Sequence, residues 1–245
     1  MSEQVRTAVV TGASRGFGRA IAAALVASGT RVVGIARDSG ALGEVATALG
    51  DGFTPVAADV TAEGLAESVL GEYRPSLLVL NAGAAPYVAP VQEQSWESFS
   101  RNWHVDTRHV FEWTKAALLL PLAPGSVVVS MSSGAAIAGS PLSGGYASAK
   151  AAIRYIRGYA ADEAGRAGLG LRFTTVLPQL SPSGIGDPGV DAYAARGGID
   201  RETFLANMAP LLTPELVAKA VLEIAADPGA APEYVVGGAG FRPVE

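Results

Sequence analysis

A glycine-rich turn set between an apolar strand and a helical pattern limits what this chain can fold into more than any other feature. The apolar run Thr7–Thr11 leads directly into Gly12-Ala13-Ser14-Arg15-Gly16-Phe17-Gly18, and a helical pattern occupies residues 18–28. Glycine lacks a Cβ, so the backbone can turn tightly and bring the amides of a helix N-terminus close to a pyrophosphate. The spacing is GxxxGxG. In its strand-turn-helix setting it reads as a dinucleotide-binding turn, with a purely structural tight turn as the alternative.

The same alternation runs through the rest of the chain. Strand patterns recur at Arg31–Ala36, residues 54–58, Leu77–Leu80, Val127–Met131, residues 171–176 and residues 234–236. Helical patterns lie between them at residues 41–49, 62–73, 96–120, 146–167 and Pro214–Ala226. Runs such as Leu77-Leu78-Val79-Leu80 are apolar on both faces, as parallel strands covered by helices above and below must be. The order predicts an α/β fold: a Rossmann-like doubly wound parallel sheet of about seven strands flanked by helices on both faces. No repeat or charged linker divides the chain, so residues 1–245 read as one domain. Residues 179–198 differ in texture, because Pro182, Gly184, Gly186, Pro188, Gly189, Gly197 and Gly198 interrupt any regular pattern. A long irregular segment inside a compact domain is commonly a lid or binding loop. We read residues 179–209 as a substrate lid.

Composition narrows the chemistry. There are no cysteines, which removes disulfides and thiolate catalysis. His104 and His109 lack the neighbouring carboxylate and histidine set of a metal site, so no metal is expected. They read as packing residues of the helix at 96–120, and Trp96, Trp103 and Trp113 as a face of that helix against the sheet or another subunit. Charged residues make up 17% against roughly 25% in an average soluble domain. That shortage points to a large core and to buried contacts between subunits, so a homodimer or homotetramer is expected. The net charge of -5 argues against nucleic acid and anionic membrane partners, which need clustered Lys and Arg. The start of the chain enters a strand within a few residues, leaving no room for a signal sequence. The longest apolar stretch, near residues 116–122, is far short of the roughly 20 residues that cross a bilayer. The expected setting is cytoplasmic, with a small molecule as partner.

The end of the second strand carries the choice of dinucleotide. NAD enzymes place an acid there for the ribose 2′-hydroxyl, whereas NADP enzymes offer an arginine to the 2′-phosphate. Arg37 stands at that position, and Arg15 in the glycine turn can close on the same phosphate with bidentate contacts. Asp38 follows one residue later as the NAD-type alternative, and an Arg37-Asp38 surface pair is the plain one. The reading is NADP(H).

Tyr146 and Lys150 are four residues apart on a helical pattern and therefore share one face. A phenol titrates near 10, and a neighbouring ammonium favours the phenolate, which draws proton exchange toward neutral pH. Ser130-Met131-Ser132-Ser133-Gly134 closes the fifth strand, at the carboxyl edge where ligands bind in open α/β sheets.

Taken with GxxxGxG, Asp59-Val60 and Asn81-Ala82-Gly83, these residues resemble the short-chain dehydrogenase/reductase family over residues 7–178. The resemblance implies that Tyr146 is the general acid/base, Lys150 its electrostatic partner and ribose ligand, and Ser133, 13 residues before the tyrosine, the group that orients the carbonyl or alcohol. Ser132 is the competing assignment for the serine. Gly12, Ser14, Arg15, Gly16, Phe17, Gly18, Arg37 and Pro178 would line the cofactor. Asp59 and Val60 would meet its adenine, and Asn81, Ala82 and Gly83 would brace the sheet or touch the cofactor. Two positions depart from the family pattern. Asp106 stands where the family has a helix asparagine, and an ionised aspartate accepts but cannot donate. Pro178-Gln179 replaces the usual Pro-Gly, with Ser181 or Ser183 in place of a downstream threonine. The implied activity is hydride transfer between NADP(H) and a carbonyl or alcohol substrate, with a catalytically weak dinucleotide-binding sensor as the rival. An epimerase or dehydratase of the longer related enzymes is disfavoured, because the chain leaves little room for an added substrate domain.

Overall fold

The computed structural model describes residues 6–120 and 122–244. Residues 1–5, on which the signal-sequence reading rested, lie outside them. The strands are β1 (Thr7–Thr11), β2 (Arg31–Ala36), β3 (Phe53–Ala57), β4 (Leu77–Leu80), β5 (Val127–Met131), β6 (Arg172–Pro178), β7 (Glu233–Gly237) and β8 (Gly240–Pro243). They form one eight-stranded sheet in the order β3-β2-β1-β4-β5-β6-β7-β8, in which every pairing is parallel except β7 with β8. The order reverses between β1 and β4, which opens a crevice at the carboxyl ends of those strands, the usual ligand position in doubly wound sheets.

Alternate residues of each strand feed two apolar layers. On one face Ala8, Val10, Val32, Val79 and Val129 pack with α1 (Gly16–Ala27), α2 (Ser39–Leu49) and α10 (Pro214–Ala226). On the other, Val9, Val33, Leu78, Leu80 and Val128 pack with α3 (Leu65–Tyr73), α5 (Arg108–Leu119) and α7 (Gly144–Arg166). Burial on both faces explains why the strands lack an alternating polar pattern. Pro55 sits in β3, an edge strand where a missing N–H is tolerated.

Two expectations need correction, and one gains a detail. The sheet, expected to have about seven strands, has eight, because the short Gly237–Gly240 turn folds β8 back as an antiparallel edge. Gly240, Arg242 and Pro243 carry no strand signature, and only an edge position admits the proline. The helix expected over residues 96–120 is interrupted: α4 (Trp96–Asn102) passes through a π-helical turn at Trp103–Thr107 before α5 begins. Residues 179–198 are also not irregular throughout. They contain α8 (Asp187–Arg196), and α9 (Arg201–Asn207) follows. Pro188 lies in the first turn of α8 and Gly197-Gly198 follow its end, so residues read as breakers are its start and stop signals. Asp200 caps α9 by accepting the Thr203 N–H at 2.7 Å.

Candidate active site

The glycine turn is shaped by steric necessity. Gly12 and Gly16 have φ of 68° and 54°, in the left-handed region, and a Cβ on Gly18 would collide with the Gly12 carbonyl. The Gly12 and Ala13 amides donate to the Ile35 carbonyl at 2.7 and 3.2 Å, which ties the turn to the end of β2. Helix α1 starts at Gly16 without a side-chain cap, so its first amides are free to meet an anion. Ser14 borders the turn and Phe17 packs into the core beneath it.

Arg15 and Arg37 are both exposed. Asp38 is the N-cap of α2, where its carboxylate accepts the Ala41 N–H at 3.0 Å. Beyond β3, the Asp59 carboxylate accepts the N–H and hydroxyl of Thr61 at 2.9 and 2.7 Å, and these bonds hold it below the usual carboxylate range. Val60 is buried, and its carbonyl accepts the Trp113 indole N–H at 2.9 Å. After β4, the amides of Asn81 and Ala82 donate to the Thr11 hydroxyl at 2.9 and 3.0 Å, and the Asn81 side chain donates to the Thr11 carbonyl at 2.9 Å. The ends of β1 and β4 are braced against each other at the crevice.

The π-helical turn carries Asp106, fully buried, toward this crevice. One carboxylate oxygen accepts the Ala84 N–H at 2.8 Å, with the Asn102 amide 3.4 Å away. The other lies 3.1 Å from the Lys150 ammonium, a charge contact rather than an aligned hydrogen bond. A Cβ on Gly83 would stand 2.9 Å from that second oxygen, so the carboxylate fits because residue 83 is glycine. The turn is fastened to α7 at two more points: the Trp103 indole donates to the Ser148 hydroxyl at 3.0 Å and the Thr107 hydroxyl to the Ala149 carbonyl at 3.2 Å.

Lys150 is 97% buried, and its ammonium also donates to the Met131 carbonyl at 3.1 Å. Burial is the largest single influence and pulls its pKa down, but the Asp106 contact and the Tyr146 phenol together outweigh it and hold the group above the usual lysine value. The ammonium lies 5.6 Å from the centre of the Tyr146 ring, and Tyr146 itself is partly exposed at the crevice. Of the two serines after β5, Ser132 is buried with its hydroxyl donated to the Lys150 carbonyl at 2.8 Å, whereas Ser133 is partly exposed and accepts the Ala135 N–H at 3.2 Å.

Beside Asp106, His109 is fully buried against Trp113 in an edge-on contact, and neither ring nitrogen has a hydrogen-bond partner among the described residues. Burial, with the nearby Lys150 charge, pushes its pKa down to about 3, so it is a neutral packing residue. His104 lies in the π-helical turn. Among the described residues no three His, Asp or Glu side chains gather as a metal site, and no helix is long and apolar enough to cross a membrane.

On the far side of the crevice, the Pro178 carbonyl accepts the Gly134 N–H at 2.9 Å. Gln179 donates its amide to the Val236 carbonyl at 2.8 Å, and its side chain lies over Gly237, where a Cβ would strike it. Ser181 is buried, donating to the Leu212 carbonyl at 2.8 Å with Ser183 2.9 Å away. Sequence reasoning overlooked Asn102, buried one helical turn before Asp106, whose amide donates to the Ala84 carbonyl at 2.9 Å. The i, i+4 spacing from Asn102 to Asp106 was its only signal.

The fold is a doubly wound sheet with a Cβ-free turn at its switch point and a tyrosine-lysine pair on the helix beside it. The family model described as short chain dehydrogenase matches residues 6–187, and the chain belongs to the short-chain dehydrogenase/reductase family. It is 32% identical over 151 residues to L-xylulose reductase of Bos taurus, a match covering 60% of this chain and 61% of that protein. It is 33% identical over 124 residues to carbonyl reductase [NADPH] 2 of Sus scrofa, covering 49% and 50%. The chain therefore spans only about half to three fifths of these relatives. A crystal structure of a short-chain dehydrogenase from Streptomyces avermitilis superposes with a TM-score of 0.78 at 28% identity, over 97% of this chain and 90% of that one. Both curated relatives are named as reductases, one of them with NADPH in its name.

Proposed function

We propose that the protein transfers a hydride between NADP(H) and a neutral ketone or aldehyde and its alcohol, with reduction the working direction. The observation that carries this reading is the meeting, at the carboxyl edge of the sheet, of Tyr146 with the buried Lys150 ammonium 5.6 Å from its ring. Bound NADPH supplies the hydride. The Tyr146 hydroxyl gives its proton to the carbonyl oxygen as that oxygen gains charge, and Ser133 donates a hydrogen bond to the same oxygen. Ser132 is spent on the Lys150 carbonyl, which supports Ser133 for that task. An ammonium has three donors. The Lys150 ammonium donates to Met131 and lies against the Asp106 charge, which leaves donor capacity for the ribose and a positive field for Tyr146.

The cofactor cradle is Gly12, Ser14, Arg15, Gly16, Phe17 and Gly18, with Asp59, Val60, Asn81, Ala82 and Gly83 along the adenine and ribose, and Pro178 near the nicotinamide. Arg15 and Arg37 are exposed, with no ion-pair partner among the described residues, and are available to a 2′-phosphate, while Asp38 is engaged as a helix cap, which favours NADP(H) over NAD(H). The name of the pig relative, carbonyl reductase [NADPH] 2, points the same way. The chain acts as one cytoplasmic domain whose segment 179–209 covers the substrate. Tyr155 and Tyr159, stacked and each 66% exposed on α7, offer a face to a second copy in a homodimer or homotetramer, which sedimentation velocity would detect.

The test is NADPH consumption against a panel of neutral ketones and aldehydes, with NADPH and NADH affinities measured for the native protein and Arg37→Glu. We expect turnover on at least one carbonyl and a fall in the NADPH-to-NADH affinity ratio on substitution. No turnover across the panel would contradict the activity, and an unchanged ratio the cofactor.

A further inference from the structure

Residues 139–143 connect α6 (Ala135–Ala138) to α7, and their hydrogen bonds run outward in two directions. The Leu142 carbonyl accepts the Ala89 N–H at 2.8 Å, from the segment after β4. The Leu142 N–H donates to the Tyr193 hydroxyl at 3.2 Å, on α8, and Tyr193 also meets the Ser140 hydroxyl. Ser143 stands at the N-cap of α7, where a serine ordinarily accepts an amide of the first turn. It makes no such bond. Its buried hydroxyl lies 2.6 Å from Ser140 instead and so joins the chain that ends at Tyr193. Helix α8 is seated by Val190 and Ala194, both buried, and is held to α9 by Arg201, which donates to Asp191 at 2.7 Å and to Asp187 at 2.5 Å.

We propose that Tyr193 is a positioning residue: its hydroxyl latches the α8 segment to the start of the helix that carries Tyr146, coupling closure over the substrate to the placement of that tyrosine. The inference rests on the reading of residues 179–209 as a substrate cover. Ser140 and Ser143 are the receiving half of the latch. With the latch open, α8 moves off its seat and the N-terminal turn of α7 loses the contact that replaced its cap.

Tyr193→Phe removes only the hydroxyl. One hydrogen bond corresponds to a factor of up to about ten in an equilibrium. We expect KM for a carbonyl substrate to rise about three- to tenfold, with NADPH affinity unchanged. Hydrogen exchange should quicken at residues 139–143 and 187–196 together. Ser140→Ala should produce smaller effects of the same kind, because the Leu142 N–H still reaches Tyr193, and the double variant should show no more than Tyr193→Phe alone. A lower Tm with KM and exchange unaltered, or additive effects in the double variant, would overturn the proposal. Exchange in the protein without substrate reads the latch even where no carbonyl is turned over, so loss of the proposed activity and loss of the latch are separate results.

Discussion

An ammonium and a carboxylate taken out of water together are costly to separate, because removing one leaves the other charged and unsolvated. Asp106 and Lys150 are such a pair, 3.1 Å apart and both buried. The aspartate also cancels part of the positive field that Lys150 would otherwise exert on Tyr146. Asp106→Asn keeps an oxygen for the Ala84 N–H but leaves the ammonium without its counter-charge. That variant should lose about 3 kcal/mol of stability. Its kcat profile against pH should differ from that of the native protein, because the counter-charge of Lys150 is gone. Superimposable pH profiles with only a lower Tm would make Asp106 purely structural. His109 gives a second test. It is neutral when folded, with a pKa of about 3, and takes up a proton near 6.5 when unfolded. Between those values the unfolded state binds more protons, so stability rises with pH and is lost on acidification. The native protein should lose about 1.4 kcal/mol per pH unit relative to His109→Phe as pH falls below 6.5. The two should run parallel above that pH. Denaturant unfolding across this range, with a constant difference throughout, would show that the imidazole is not held neutral.

Helix α7 owes its place to a glycine. A Cβ on Gly145 would run into the Phe99 carbonyl of α4, so the two helices cross with backbone against backbone, and the next residue is Tyr146. Gly145→Ala must push them apart, at a cost of about 3 kcal/mol or more. It should also lower turnover more than cofactor affinity, and retention of full activity and stability would contradict this view of the crossing. At the same scale, the parallel strands and α10 were legible because apolar runs and caps are local signals, and four strands match their sequence bounds residue for residue: β1, β2, β4 and β5. What was not legible depended on partners far away in the chain. The π-helical turn exists to bring Asp106 to Lys150, 44 residues later, and no local pattern marks it. Helix α8 was hidden because Pro188 and Gly197 carry opposite meanings inside and at the ends of a helix. The residues of the tyrosine-lysine pair were legible as a spacing, but the burial of Lys150, the engagement of Ser132 and the Tyr193 contact needed the folded chain.

At the scale of the whole molecule, the two apolar layers fix the sheet, the sheet fixes a crevice at the β1/β4 reversal, and α7 brings the Tyr146 phenol to its edge. The account stands or falls on whether that group moves a proton during hydride transfer. The most direct measurement compares the native protein with Tyr146→Phe, using NADPH titration for binding and the rate of carbonyl reduction at saturating NADPH for chemistry. We predict equal NADPH affinity and a fall in kcat of about 10² to 10⁴, the contribution of a positioned acid/base group. Equal kcat in the two proteins would remove Tyr146 from the reaction and contradict the central claim.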